Sequence, residues 1–120
     1  MRVLIVEDDE TFCQFLAEIL ESKGMQVVWT TDALEGLKES QSHPCYDLCI
    51  LDVRMPGLLG SEIAEALKQN KPKAKVILIS AFADESLREV AAKLGSPLIS
   101  KPFSAHDLLQ VIDDSITGPV

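Results

Sequence analysis

Four acids in a row, Glu7, Asp8, Asp9 and Glu10, directly follow the apolar run Val3-Leu4-Ile5-Val6. A further acid, Asp52, closes a second such run, Leu48-Cys49-Ile50-Leu51. Acids gathered in one place repel one another unless they are protonated, kept apart by water or neutralised by a cation. Oxygen donors with no Cys or His beside them suit a hard cation, Mg²⁺ or in its stead Mn²⁺. Acids also favour helix N-termini, so one or two of Asp8, Asp9 and Glu10 are accounted for as caps of the helix that follows. Capping does not account for Asp52, because an acid is unwelcome at the end of a buried strand. Ser80 ends the run Val76-Ile77-Leu78-Ile79, and Lys101 comes just after Leu98-Ile99. Each alone is explained by a turn or by solvation. Together they place a hydroxyl and an ammonium at the ends of further strands, and a transferring phosphoryl group requires both. Lys101-Pro102 suits neither helix nor strand and is read as a cis peptide that aims the lysine.

These residues are brought together only if the elements alternate. The apolar runs named above, with Val27-Val28-Trp29, read as strands buried on both faces. Between them the period changes to that of a helix. Phe12, Phe15, Leu16, Ile19 and Leu20 share one face of a first helix, and Gly24 stops it. Asp32 with Glu35 forms a capping box for a second helix through Leu34 and Leu37. Ile63, Ala64 and Leu67 mark a third, ended by Asn70 and Pro72. Leu87, Val90, Ala91 and Leu94 mark a fourth, closed by Gly95. Ser104 with Asp107 opens a fifth, carrying Leu108, Leu109, Val111 and Ile112. Five βα units with right-handed crossovers bury a parallel sheet between two helical layers. The common order for five such strands is 2-1-3-4-5, with a site beyond the carboxyl ends of strands 1 and 3. That rule gathers Glu7, Asp8 and Asp52 in one crevice, with Ser80 and Lys101 on its rim.

Composition excludes several classes. At 120 residues, 47% hydrophobic and 25% charged, the chain reads as one globular domain and not a disordered one. Eleven basic against 19 acidic residues leave a net charge of -8, which repels phosphate backbones and argues against direct nucleic-acid binding. The Lys68–Lys75 stretch KQNKPKAK is read as a solvated turn. No apolar run reaches the ~20 residues of a membrane span. MRVLIVEDDE puts acids where a signal peptide would stay apolar, so a cytoplasmic protein is expected. Cys13, Cys45 and Cys49 lack a CxxC pair, and with His43 and His106 they lack the spacing of a zinc site. The cysteines are read as small core residues and the histidines as surface residues.

Taken together, VLIVEDDE at 3–10, LDVRMPG at 51–57, ILISA at 77–81 and SKPFS at 100–104 resemble the receiver domain of two-component response regulators, from Arg2 to about Ile116. The resemblance implies a flavodoxin-like doubly wound α/β fold over residues 1–117, with 118–120 as a tail or linker stub. It makes Asp52 the acceptor of a phosphoryl group from a sensor histidine kinase or a histidine phosphotransfer protein. Glu7, Asp8, Asp52 and the backbone carbonyl of Arg54 would hold Mg²⁺, and Ser80 and Lys101 would bind phosphoryl oxygens. Met55-Pro56-Gly57 would form the turn beyond the acceptor. The chain would act on no other substrate, catalysing only its own phosphorylation and slow dephosphorylation. Output would pass through the fourth helix, fifth strand and fifth helix to a downstream protein or effector domain, a surface that also allows a homodimer. Arg54 and Phe82 would flank the approach of water to the acceptor. Phe12, one turn into the first helix, is read either as core beside Phe15 and Leu16 or as a part-exposed anchor for a helix of the phosphodonor.

Two positions depart from the pattern. Leu98 stands where receivers usually carry Tyr or Phe, which removes the usual aromatic readout but not the chemistry. Leu58-Leu59 replaces a more polar pair before Gly60. Rival classes fare worse. An aspartyl phosphatase of the haloacid-dehalogenase kind wants a second Asp two residues after the first, where Arg54 stands. A flavodoxin-like electron carrier wants a phosphate-cradling Ser/Thr/Gly loop where the four acids stand. The serious alternative is a receiver-like interaction module that is not phosphorylated in its working cycle.

Overall fold

The computed structural model describes residues 1–42, 44–54 and 60–117. His43, the Met55-Pro56-Gly57 turn, the Leu58-Leu59 pair and the 118–120 tail lie outside the described residues. Strands β1 (Arg2–Val6), β2 (Gln26–Thr30), β3 (Leu48–Asp52), β4 (Lys75–Ser80) and β5 (Leu98–Ser100) alternate with helices α1 (Glu10–Glu21), α2 (Ala33–Ser40), α3 (Gly60–Asn70), α4 (Glu85–Leu94) and α5 (Ala105–Thr117). The strands pair in parallel in the order β2-β1-β3-β4-β5. This is the doubly wound architecture that the alternation of periods predicts.

The twofold alternation of strand side chains divides the core into two layers. Val3 and Ile5 of β1, Leu48 and Ile50 of β3, and Ile77 and Ile79 of β4 face α1 and α5. Leu4, Val6, Cys49, Leu51 and Leu78 face the opposite way, toward α2, α3 and α4. The register sets Val6 beside Leu51, Asp52 beside Ile79 and Ser80 beside Ser100. Continuing each strand by twos, Glu7, Asp52 and Lys101 carry the parity of the α1–α5 face. Ser80 carries that of the α4 face.

Several local expectations need correction. Strand β2 is at the sheet edge and is not buried on both faces; Val28 is exposed. On α1 the inward face is Cys13-Leu16-Ala17-Leu20, which turns Phe15 outward to 42% exposure. Cys13 completes an i, i+3, i+4, i+7 stripe with Leu16, Ala17 and Leu20, and Phe15 falls off that stripe. Leu34 also points out, and α2 buries Ala33 and Gly36 instead. A Cβ at Gly36 would stand 2.7 Å from Val6, so α2 sits tightly against β1. Asp32 caps α2 through the Leu34 and Glu35 N–H groups, but the Asp32 N–H is taken by the Thr30 hydroxyl, not by Glu35. At α5 the reciprocal box does form: Ser104 Oγ accepts from the Asp107 N–H at 3.0 Å, and Asp107 Oδ2 from the Ser104 N–H at 3.3 Å. Cys13 and Cys49 are buried as expected, but Cys45 is exposed, lying in the loop before β3. His106 is on the surface. Gly60 opens α3 against the end of β3, where a Cβ would fall 2.1 Å from the Asp52 carbonyl oxygen. Only glycine permits that approach.

Candidate functional site at the carboxyl edge of the sheet

A crevice of about 380 Å³ opens beyond β1 and β3, lined by Glu7, Asp8, Asp9, Asp52, Arg54, Ser80, Ala81, Phe82 and Lys101. This is where the strand order reverses. A larger hollow of about 610 Å³ lies elsewhere, between α3, α4 and α5. Only the smaller one, among the described residues, brings three carboxylates together: ligand oxygens of Glu7, Asp8 and Asp52 lie within 4.8 Å of one another. Asp9 stands apart as the cap of α1, its Oδ1 accepting from the Phe12 N–H at 3.2 Å. Capping therefore accounts for one acid of the run and leaves Glu7 and Asp8 to the crevice. Glu7 is fully buried, Asp52 nearly so, and Asp8 is exposed at the mouth. The donor set is three carboxylates with no thiol or imidazole, which fits a hard divalent cation.

Lys101 closes the cluster from the far end of the sheet. Its Nζ donates to Glu7 Oε2 at 2.8 Å and to Asp52 Oδ2 at 3.4 Å. The other Asp52 oxygen accepts from the Arg54 N–H at 3.0 Å. The Lys101–Pro102 peptide is cis, as the dipeptide suggested. Burial pushes the Glu7 carboxyl up from 4.5 to about 7, helped by its hydrogen bond with Asp52 and opposed by Lys101. Burial acts on Lys101 in the discharging direction. The hydrogen bond to Glu7 and the charges of Asp52 and Glu7 outweigh it, so the lysine pKa is raised. The trio is therefore an ammonium held between two carboxyl groups, of which Glu7 keeps its proton toward neutrality.

Ser80 is on the rim but engaged elsewhere. Its Oγ accepts from the Phe82 N–H and donates to the Phe82 carbonyl, both at 3.1 Å. Its parity explains this, since β4 aims it toward α4. Phe82 projects from the same loop and is 69% exposed. Leu98 is part-buried against the layer under α4.

Two contacts at the site were not anticipated. Arg54 pairs with Asp84 Oδ2 at 3.3 Å, while Asp84 Oδ1 accepts from the Leu87 N–H at 2.8 Å and caps α4. The signal was present: Asp84 stands three residues before Leu87, as an N-cap should. The other contact is aromatic. The face of Phe12 lies 4.6 Å from Lys101 Nζ, and Phe103 meets the Phe12 ring edge-on at 5.5 Å. Nothing in the spacing of residues 12, 101 and 103 could have revealed it.

The family model described as a response regulator receiver domain matches residues 3–113. Response regulator receiver protein CpdR of Brucella abortus is 30% identical over 113 residues, 93% of this chain and 93% of that protein. An uncharacterized transcriptional regulatory protein of Bacillus subtilis, YbdJ, is 34% identical over 108 residues, 90% of this chain and 47% of that one. The chain thus spans about half the length of curated relatives such as YbdJ. Among solved structures, a chain of the CheX-CheY-BeF3-Mg+2 complex from Borrelia burgdorferi gives a TM-score of 0.89 at 28% identity, covering 98% of this chain and 90% of that one.

Proposed function

The chain belongs to the response regulator receiver domain family, and from that premise we propose that Asp52 accepts a phosphoryl group within a domain spanning residues 1–117. The donor is a phosphohistidine on a sensor histidine kinase or a histidine phosphotransfer protein. An Asp52 carboxylate oxygen attacks phosphorus in line; the P–O bond forms as the P–N bond breaks, and the leaving imidazole keeps the electron pair and takes up a proton. The observation that carries this reading is the Lys101 ammonium seated on Glu7 and Asp52 beside Asp8. Glu7, Asp8, Asp52 and the Arg54 carbonyl would hold Mg²⁺, or Mn²⁺ in substitution. Bound there, the ion supplies positive charge to the transferring oxygens. Lys101 would supply a second positive charge.

The product carries about two negative charges where one stood before. Its oxygens compete with Phe82 for the Ser80 hydroxyl, and the loop between β4 and α4 follows Ser80. Phosphorylation in this way biases an existing two-state equilibrium read out on α4, β5 and α5. That surface serves a downstream protein, an effector domain or a second copy of the chain. With Leu98 in β5, the readout runs through repacking and not through a ring or hydroxyl. Catalysis is confined to phosphorylation and slow dephosphorylation of the chain's own aspartate. No described helix is long and apolar enough to cross a membrane, and the proposed partners put the domain's work in the cytoplasm.

Acetyl phosphate with Mg²⁺, followed by intact mass, tests the reading. One phosphoryl group should add to the wild type and none to Asp52→Asn. A wild type that stays unlabelled overturns the acceptor role.

A further inference from the structure

Lys101 has a long, flexible stem whose charged head ordinarily swings toward water. Here the side chain is only 19% exposed, and three groups hold its ammonium: Glu7 at 2.8 Å, Asp52 at 3.4 Å and the face of Phe12 at 4.6 Å. Two of the three change during phosphoryl transfer. Asp52 loses its charge on that oxygen when it becomes the acyl phosphate ester, and Glu7 is shared with the cation. The Phe12 ring depends on neither event. Its negative face attracts an ammonium most strongly where water is excluded.

We propose that Phe12 is a positioning residue for phosphoryl acceptance, holding the Lys101 ammonium over the crevice by a cation–π contact while its carboxylate partners change. The proposal rests on the acceptor reading above. The ring is itself well placed for the task. Asp9 fixes the first turn of α1 through the Phe12 N–H. Phe103, two residues beyond Lys101, packs edge-on against the ring at 81°. Phe12 and Phe103 thereby join α1 to the loop that carries the lysine.

The test separates ring electrostatics from ring volume. Phe12 is replaced by phenylalanines bearing one, two and three ring fluorines, which drain the face of negative charge at nearly constant shape. The readout is the rate of labelling by acetyl phosphate with Mg²⁺, with the melting temperature as the check on folding. The rate should fall stepwise with fluorine count, and Phe12→Leu should lower it about fivefold while Phe12→Tyr restores most of it. A flat fluorine series in a protein that labels normally overturns the positioning role and leaves the acceptor reading standing. A wild type that does not label overturns the acceptor reading and the positioning role with it. Independently of any phosphodonor, the Lys101 ε-methylene protons should be shifted upfield by the ring in NMR spectra and lose that shift in Phe12→Leu. Unshifted protons in the wild type overturn the contact itself.

Discussion

Glu7 concentrates the electrostatics of the site in one side chain. Its folded-state pKa, about 7, lies above its ordinary 4.5 because the carboxyl is buried beside Asp52. A carboxyl raised in this way binds its proton more tightly when folded. The stability it contributes is complete below about pH 4.5 and is lost as pH rises through about 7. In chelator, the melting temperature of the wild type should therefore fall across that window relative to Glu7→Gln, which has no proton to lose. Mg²⁺ must displace the same proton, so its stabilisation should grow toward the upper end of the window. At ten times its dissociation constant the gain is about 1.4 kcal/mol. Asp8→Ala should weaken that response. Parallel melting profiles for wild type and Glu7→Gln would refute the role given to Glu7, and curves unmoved by millimolar Mg²⁺ would refute the metal site. The residue types themselves, acids, hydroxyl and ammonium at strand ends, were readable before any fold was known. That Glu7 and not Asp8 would be the buried acid was not, because burial belongs to the packing of α1 and α5 over the sheet.

Among the elements, α4 has its N-terminus tied to the site through Asp84. Asp84 uses one oxygen to cap the helix and the other to pair with Arg54. The two roles are separable. Asp84→Ala removes both and should cost about 1 kcal/mol in denaturant melts, the usual loss for an N-cap. Asp84→Asn keeps the cap and loses only an ion pair whose side chains are 59% and 37% exposed, so it should cost about 0.3 kcal/mol. Equal losses in the two variants would mean that the ion pair, not the cap, secures α4. Element types and order were legible because unbroken apolar runs and a 3.6-residue period are local properties. The faces were less so. Phe15 and Leu34 fit apolar stripes by count, yet α1 and α2 turn Cys13 and Gly36 inward, and at Gly36 the absence of a Cβ allows the close approach to Val6.

At the scale of the whole molecule, the two core layers protect two of the three cysteines. Burial pushes the Cys49 thiol up to about 12, and burial with the charges of Glu7 and Asp9 does the same for Cys13. Cys45 is exposed. A thiol reagent should label Cys45 at once in the native protein and reach Cys13 and Cys49 only at the rate of global opening. Immediate labelling of Cys49 would contradict a core closed on both faces of β3. The same two layers mark where reading the chain unaided runs out. Alternating periods, a cluster of acids after one strand and an acid, a hydroxyl and an ammonium after three others are written along the chain, and they were enough to reach the architecture and the crevice. Which of those groups touch was settled when the strands took their relative register. That register gives Glu7, Asp52 and Lys101 one parity and Ser80 the other, so the lysine meets both carboxylates while the hydroxyl turns to its own loop. Contacts such as Lys101 with Glu7, 94 residues apart, and Phe12 with Lys101 arise from side-chain packing between distant segments. No local spacing encodes them.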